Sequence, residues 1–145
     1  MTEHRRTDIA TGRYTGEQMQ VKVRLDQIWD AAAKQDFERL RSYHLYGPKF
    51  TEFKEGALRG NATSNEVGEQ GFFAAVTDPK VEMDDLTINV FGDVAIATFN
   101  GEFRALMAGK PIVAQEQATL VFVKHDGEWK ITHEHFSPLR GPPSP

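Results

Sequence analysis

The sequence predicts an α+β domain in which a curved, cone-shaped antiparallel sheet wraps around about three N-terminal helices. Two observations lead to this fold class. Apolar residues recur at helical spacing in the first half of the chain, whereas residues 81–137 form four long segments rich in β-branched and aromatic residues. Helices followed by strands joined by short turns are typical of a sheet with helices packed on one face.

The helical half contains three predicted helices. The first is expected over residues 16–34, because apolar residues form one stripe of a 3.6-residue period, namely Val21, Leu25, Ile28, Trp29 and Ala32. Asp36 is the expected N-cap of a short second helix. A capping sequence at 61–64 precedes the third, which is expected over 66–76.

The remaining segments are predicted strands. A short strand over 49–54 places Phe50 and Glu52 on one side, since successive side chains point to opposite faces. Four longer strands follow, over residues 81–91, 94–107, 112–125 and 128–137. The Asp126-Gly127 pair between the last two is a strong signal for a tight hairpin.

Residues 15–139 are expected to form one domain, between a mobile arm at 1–14 and a disordered tail at 140–145. The chain has 17 Lys or Arg, 21 Asp or Glu and no cysteine. This composition argues against a nucleic-acid-binding surface, a disulfide framework and a thiolate zinc site. Since it also lacks a long apolar run and a signal-like N-terminus, no membrane contact and a cytoplasmic location are expected. No cofactor is required by any motif.

Two histidines in the last predicted strand are the first candidates for catalysis. Strict alternation would place His133 and His135 on the same side as Trp129 and Ile131, which is the expected inner face. Three interpretations remain open. The imidazoles are hydrogen-bonded core residues, or they act as acid, base or donor for a ligand near neutral pH. In the third, they bind a metal with a carboxylate as further ligand, although we predict no metal site.

Carboxylates and aromatic residues complete the predicted site. Glu116 shares its strand face with Ala118 and Leu120, so burial would raise its pKa and make it a candidate base. Alternatively, it lies in solvent at the frayed start of its strand. Glu52, beside Phe50, is the second candidate, with the same two interpretations. The predicted ligand-binding residues are apolar or aromatic side chains expected near the interior: Trp29, Tyr46, Phe50, Phe73 and Leu120.

The end of the chain resembles a known family. Residues 124–137, which read KHDGEWKITHEHFS, resemble the closing hairpin of SnoaL-like domains in the nuclear transport factor 2-like (ketosteroid-isomerase-like) superfamily, which has a cystatin-like fold. The stretch 49–53, the Gly60-Asn61 turn and the His133/His135 ending are also similar to the association domain of calcium/calmodulin-dependent protein kinase II. The resemblance implies a pocket between helices and sheet, and a homodimer formed through the outer face of the sheet.

The same resemblance implies some site residues and leaves others unmatched. Ketosteroid isomerases carry a base on the first strand, and Glu52 lies near that position. Their oxyanion-binding Tyr–Asp pair has no counterpart here, and the pocket arginines of association domains correspond to Gly101 and Leu120.

Two function classes therefore remain. In one, the pocket binds a small organic molecule and performs acid–base chemistry, as an isomerase, cyclase, hydratase or dehydratase. In the other, the domain binds a ligand without catalysis or assembles into homo-oligomers.

Overall fold

The computed structural model describes residues 16–140. The predicted arm at 1–14 lies outside the described residues, as does the predicted tail apart from Arg140. Within residues 16–140, three helices and five strands follow one another: α1 (Gly16–Ala33), α2 (Phe37–Ser42), β1 (Thr51–Lys54), α3 (Ala62–Ala75), β2 (Val76–Phe91), β3 (Val94–Met107), β4 (Lys110–His125) and β5 (Glu128–Pro138). The predicted α+β class is confirmed.

The helices begin where side chains can bind their free amide groups. The carboxylate of Asp36 accepts a hydrogen bond from the backbone N–H of Arg39, as an N-cap should. The third helix starts four residues earlier than predicted, because Asn61 and Ser64 form a reciprocal capping box. On α1, the predicted apolar stripe faces the core, with Val21 and Leu25 fully buried.

The sheet has the order β1-β5-β4-β3-β2 and is antiparallel except at one end. There, β1 pairs in parallel with β5, so that Glu52 lies beside Glu134. At the other edge, β2 is five residues longer at its start than predicted. Its pairing with β3 shifts register between Thr77 and Lys80, and Pro79 falls in this irregular stretch of an edge strand, where its missing N–H is tolerated.

A bulge in β5 decides which side chains face inward. Phe122 of β4 pairs with Ile131, but the preceding residue, Val121, pairs with His133, so Thr132 is an extra residue. The backbone of Ile131 instead bonds the segment after α2, donating to Tyr43 and accepting from Leu45. From this point on, the alternation of β5 is reversed relative to a regular strand.

The core lies between α1 and the inner face of the sheet. Its fully buried side chains come from the helix and from four strands, for example Leu25, Ile88, Ala97, Phe122 and Ile131. Close packing of these apolar groups is the main stabilising contribution to the fold. Among residues 16–140, no helix has both the length and the apolar character needed to cross a membrane.

Candidate functional site

A cavity of about 410 Å³ lies between α3 and the inner face of the sheet. This volume is within the ~300–1,000 Å³ typical of small-molecule sites. Its apolar walls are mainly aromatic: Trp29, Phe72, Phe73, Phe99, Phe103 and Phe136. Its polar lining comes from β1, the following turn, α3, β3 and β4: Glu52, Lys54, Glu55, Ser64, Glu69, Glu102 and Glu116. The site is therefore an apolar cavity with several carboxyl groups.

Gly101 leaves room for the cavity in the middle of the sheet. It pairs with Glu116 on β4 and with Met83 on β2. A Cβ atom at this position would lie 3.3 Å from Cε2 of Phe99, which is tighter than ordinary van der Waals contact. The missing side chain therefore keeps the space in front of Glu116 open.

Glu116 is a carboxyl group of the cavity wall with a strongly raised pKa. Its Oε2 atom is buried and has no hydrogen-bond partner within residues 16–140. Burial, together with the neighbouring carboxyl group of Glu55, raises the pKa of Glu116 to about 7. Both causes act in the same direction, because each disfavours a negative charge. A carboxyl group with this pKa can accept or donate a proton near neutral pH.

Glu52 lies on the same side of the cavity but is held in place by its neighbours. Its carboxylate accepts hydrogen bonds from Asn65 Nδ2 at 2.7 Å and from Ser64 Oγ at 3.3 Å, and Lys54 Nζ lies 3.5 Å away. The backbone of Gly60 packs directly against the side chain, and a Cβ there would lie 2.7 Å from the Cγ of Glu52. Glu52 is therefore a fixed, hydrogen-bonded carboxylate.

A buried ion-pair network lies behind this wall. His44 Nδ1 donates to the carbonyl of Leu40 and Nε2 donates to Glu134 Oε2, both at 2.9 Å. Burial alone would lower the pKa of His44, but the hydrogen bonds to Glu134 and Glu69 outweigh it and raise the pKa to about 10. Burial likewise opposes ionisation of Glu134, yet the imidazolium and the charge of Lys54 lower its pKa to about 2.

Glu69 connects this network to the cavity. Its Oε1 lies 3.4 Å from His44 Nε2, and its side chain also lines the cavity. Burial and the negative charge of Glu134 raise the pKa of Glu69, because His44 compensates only part of the charge. The network thus contains more carboxyl groups than cations.

In the described part of the chain, His44, Glu69 and Glu134 form a group that could hold a metal ion. Each offers one ligand atom, and these atoms lie within 4.8 Å of one another. However, His44 already donates a hydrogen bond to Glu134, and Lys54 Nζ lies 3.6 Å from the other carboxylate oxygen of Glu134. The geometry is that of a protein ion-pair network, in which Lys54 and a protonated histidine supply the positive charge.

Four of the predicted site residues do line the cavity, namely Glu52, Glu116, Trp29 and Phe73. Leu120 lies beside it, in a small void that also contacts Phe73 and Trp29. The other two predicted ligand-binding residues are elsewhere. Phe50 is a core residue with 1% exposure, and the hydroxyl of Tyr46 donates to Asn65 Oδ1.

The prediction that both late histidines point inward is wrong. The extra residue Thr132 turns His133 and His135 to the outer face and puts Glu134, which is 2% exposed, on the inner one. His133 Nδ1 forms a 2.8 Å hydrogen bond with the Thr51 hydroxyl. His135 is exposed and lines a polar groove on that outer face. Neither imidazole lines the cavity.

The site residues that sequence reasoning missed come from five different segments: His44, Lys54, Glu55, Asn65, Glu69 and Glu134. Helical spacing was the available signal for Asn65 and Glu69, which lie four residues apart and therefore share a face of α3. No local pattern identifies Glu134, because its inward orientation depends on the bulge.

Comparison with known proteins agrees with this architecture. The family model of the SnoaL-like domain matches residues 21–141, which is most of the chain. The chain belongs to the SnoaL-like domain family. The resemblance inferred from the sequence is therefore confirmed. No curated protein sequence matches this SnoaL-like chain.

Solved structures show the same fold at low sequence identity. A Streptomyces avermitilis protein named as a candidate dehydratase of the nuclear transport factor 2-like family is 20% identical, with a TM-score of 0.78 over 86% of this chain and 97% of its own. A candidate calcium/calmodulin-dependent protein kinase II association domain from Xanthomonas campestris is 22% identical, with a TM-score of 0.73 over 86% and 89%. A Caulobacter vibrioides protein with a cystatin-like fold is 16% identical, with a TM-score of 0.68 over 86% and 92%.

Proposed function

We propose that this SnoaL-like domain binds a small, mainly apolar organic molecule in its cavity and transfers a proton to or from it. Isomerisation next to a carbonyl group and dehydration are two reactions that need this step. The proposal is supported chiefly by Glu116, a carboxyl group with a buried, unpartnered oxygen in an apolar cavity. An acid–base group works best when its pKa is near the working pH, and the pKa of Glu116 is about 7.

The other carboxyl groups have different roles in this proposal. Glu52 is held by Asn65, Ser64 and Lys54, so it orients a polar group of the ligand or serves as a second proton acceptor. The aromatic walls bind the apolar body and exclude water, which strengthens the electrostatic interactions inside. The name of the Streptomyces avermitilis neighbour is consistent with dehydration. His133 and His135 have no part in the reaction, because they lie outside the cavity.

Exchange of deuterium into ketones tests proton transfer without knowledge of the natural substrate. A panel of cyclic ketones is incubated with the protein in deuterated water, and exchange next to the carbonyl is followed by NMR. We expect Glu116→Gln to reduce the catalysed exchange by about 100-fold or more, as for loss of a general base. Glu82→Gln is the matched control, because Glu82 is an exposed carboxylate on β2.

The pH dependence provides an independent check of the same assignment. Exchange should increase as the pH rises through the pKa of Glu116, about 7, because only the ionised carboxylate accepts a proton. Equal exchange by wild type and Glu116→Gln, or a rate that does not change across this range, would contradict the assignment of Glu116 as the base.

A second candidate function is assembly through the outer face of the sheet. This face contains a groove lined by hydroxyl, amide and imidazole groups, including Thr98, Gln117, Thr119 and His135. The name of the Xanthomonas campestris neighbour also favours an association role. We expect a homodimer by sedimentation at micromolar concentration, and dissociation to monomers in Thr119→Arg. A wild-type protein that sediments as a monomer would exclude this function.

A further inference from the structure

We propose that the cavity selects apolar molecules that carry a protonated amine, so that its natural ligand is an organic cation. This inference rests on the proposed small-molecule function and goes further by naming the charge of the ligand. It is supported by the excess of carboxyl groups over cations around an aromatic cavity.

Carboxyl groups outnumber cations at the site. Six glutamates line the cavity or lie directly behind it, namely Glu52, Glu55, Glu69, Glu102, Glu116 and Glu134. Among residues 16–140, the cations paired with them are His44, Lys54 and Arg104, and the exposed Arg104 is bonded to Glu102. His44 is bonded to Glu134, and Lys54 lies 3.5 Å from Glu52 and 3.6 Å from Glu134.

The excess negative charge lies at Glu55 and Glu116. Within the described part of the chain, neither carboxyl group has a Lys, Arg or His nitrogen within 4.0 Å, whereas Glu52 and Glu134 each do. Glu55 is exposed, whereas Glu116 is half-buried and its Oε2 atom is fully buried. A buried carboxylate oxygen without a partner is unfavourable, and it is relieved either by a proton or by a cation. An ammonium group on the ligand would supply that cation, next to the unpartnered Oε2 of Glu116.

The walls of the cavity fit the same ligand. The rings of Phe72, Phe73 and Phe103 form a cluster with centroid separations of 5.1–5.8 Å. Aromatic faces attract cations, and they also hold the apolar part of a ligand. A carboxylate or phosphate on the ligand would instead meet uncompensated negative charge, so anionic molecules should be excluded.

Cation binding should also depend on pH through Glu116. The charged or titratable groups around it are Glu55 after β1, Glu52 and Lys54 on β1, Glu69 on α3 and Glu102 on the neighbouring strand β3. A bound ammonium favours the ionised form of Glu116, so the amine should bind more tightly above the pKa of about 7. Below this pKa, binding of the amine should release a proton from Glu116.

Three ligands with one aromatic skeleton test this inference. They are 2-naphthylmethylamine, which is cationic, 2-naphthylmethanol, which is neutral, and 2-naphthoate, which is anionic. Their affinities for the full chain are measured by calorimetry, and the fluorescence of the cavity residue Trp29 provides a second signal. At pH about 8 we expect the amine to bind about tenfold or more tightly than the alcohol, and the naphthoate to bind more weakly than both.

Charge variants separate the cavity from the rest of the protein surface. Glu116→Gln should reduce the preference for the amine to about threefold or less, whereas Glu82→Gln, which removes the same charge from the exposed side of β2, should leave it unchanged. The preference should also decrease at pH about 5.5 in wild type, because Glu116 is then protonated.

The outcomes distinguish this inference from the proposed function. If the alcohol binds as tightly as the amine, or if both charge variants behave alike, cation selection is refuted and the small-molecule function stands. If none of the three ligands binds while exchange into ketones is still catalysed, cation selection is also refuted. Binding of the amine alone, lost in Glu116→Gln, supports the inference even if no ketone is turned over.

Discussion

Replacing Glu55 by Gln should lower the pKa of Glu116. In wild type this pKa is about 7 instead of the ordinary 4.5, with burial as the largest single cause and with the hydrogen bond and the negative charge of Glu55 as the other two. Since Glu55 supplies two of the three causes, we expect the pKa to decrease by about one pH unit. The assay is an NMR titration of the carboxyl carbon of Glu116 in both proteins. An unchanged pKa in Glu55→Gln would refute the inference that the two carboxyl groups interact.

The same substitution should also affect the free energy of unfolding, because the pKa of Glu116 differs between the folded and the unfolded chain. Between about pH 4.5 and 7, folded Glu116 holds a proton that the unfolded chain has lost, so the free energy of unfolding decreases as the pH rises. The difference between the folded and unfolded pKa values corresponds to ~3.5 kcal/mol at ~1.4 kcal/mol per pH unit, and solvent at the partly exposed site reduces this contribution to about 1–2 kcal/mol. Glu55→Gln should therefore be more stable than wild type at pH about 8 by about 0.5 kcal/mol or more. Equal stability at that pH would count against this reasoning.

Three further substitutions test the packing around the site. Gly60→Ala should displace the carboxylate of Glu52 and destabilise the protein by about 1–3 kcal/mol in urea unfolding, because its Cβ would lie 2.7 Å from the Cγ of Glu52; Gly71→Ala, with open space around it, should not destabilise. Glu134→Gln should lower the free energy of unfolding by about 3–5 kcal/mol near neutral pH, since it leaves a buried imidazolium without its carboxylate. The difference from wild type should shrink above the pKa of His44, about 10, where the imidazole is neutral, and a constant difference would argue against an ion pair. Gly101→Val should keep the fold but weaken ligand binding by about tenfold or more, because its side chain enters the cavity; unchanged binding would place the ligand elsewhere.

Much of the fold was predictable, because it follows from local patterns. The stripe on α1 and the N-cap at Asp36 each depend on residues within one or two turns of the chain. The inward side of β1 was predictable for the same reason, since simple alternation puts Phe50 and Glu52 together. Where the buried face depends on one helix or strand alone, the sequence is enough to predict it.

The failed predictions concern the last strand, where several elements act together. The bulge at Thr132 exists because Ile131 pairs with the segment after α2, which is about 88 residues away along the chain. That contact reverses the alternation of side chains in the rest of β5, so that Glu134 lies on the inner face in place of His133. No alternation within β5 contains this information, so the buried partner of His44 could not be identified from the sequence alone.

The two margins of the sheet limit how copies of this protein can aggregate. One margin is β1, a strand of only four residues, and the other is β2, whose pairing with β3 is irregular at two places. Near these irregularities Asp78 and Asp85 have positive φ, and Pro79 lacks an amide hydrogen. A strand from another copy would therefore find no long, flat row of free backbone groups at either edge. Edge-to-edge growth into a continuous fibrillar sheet is disfavoured.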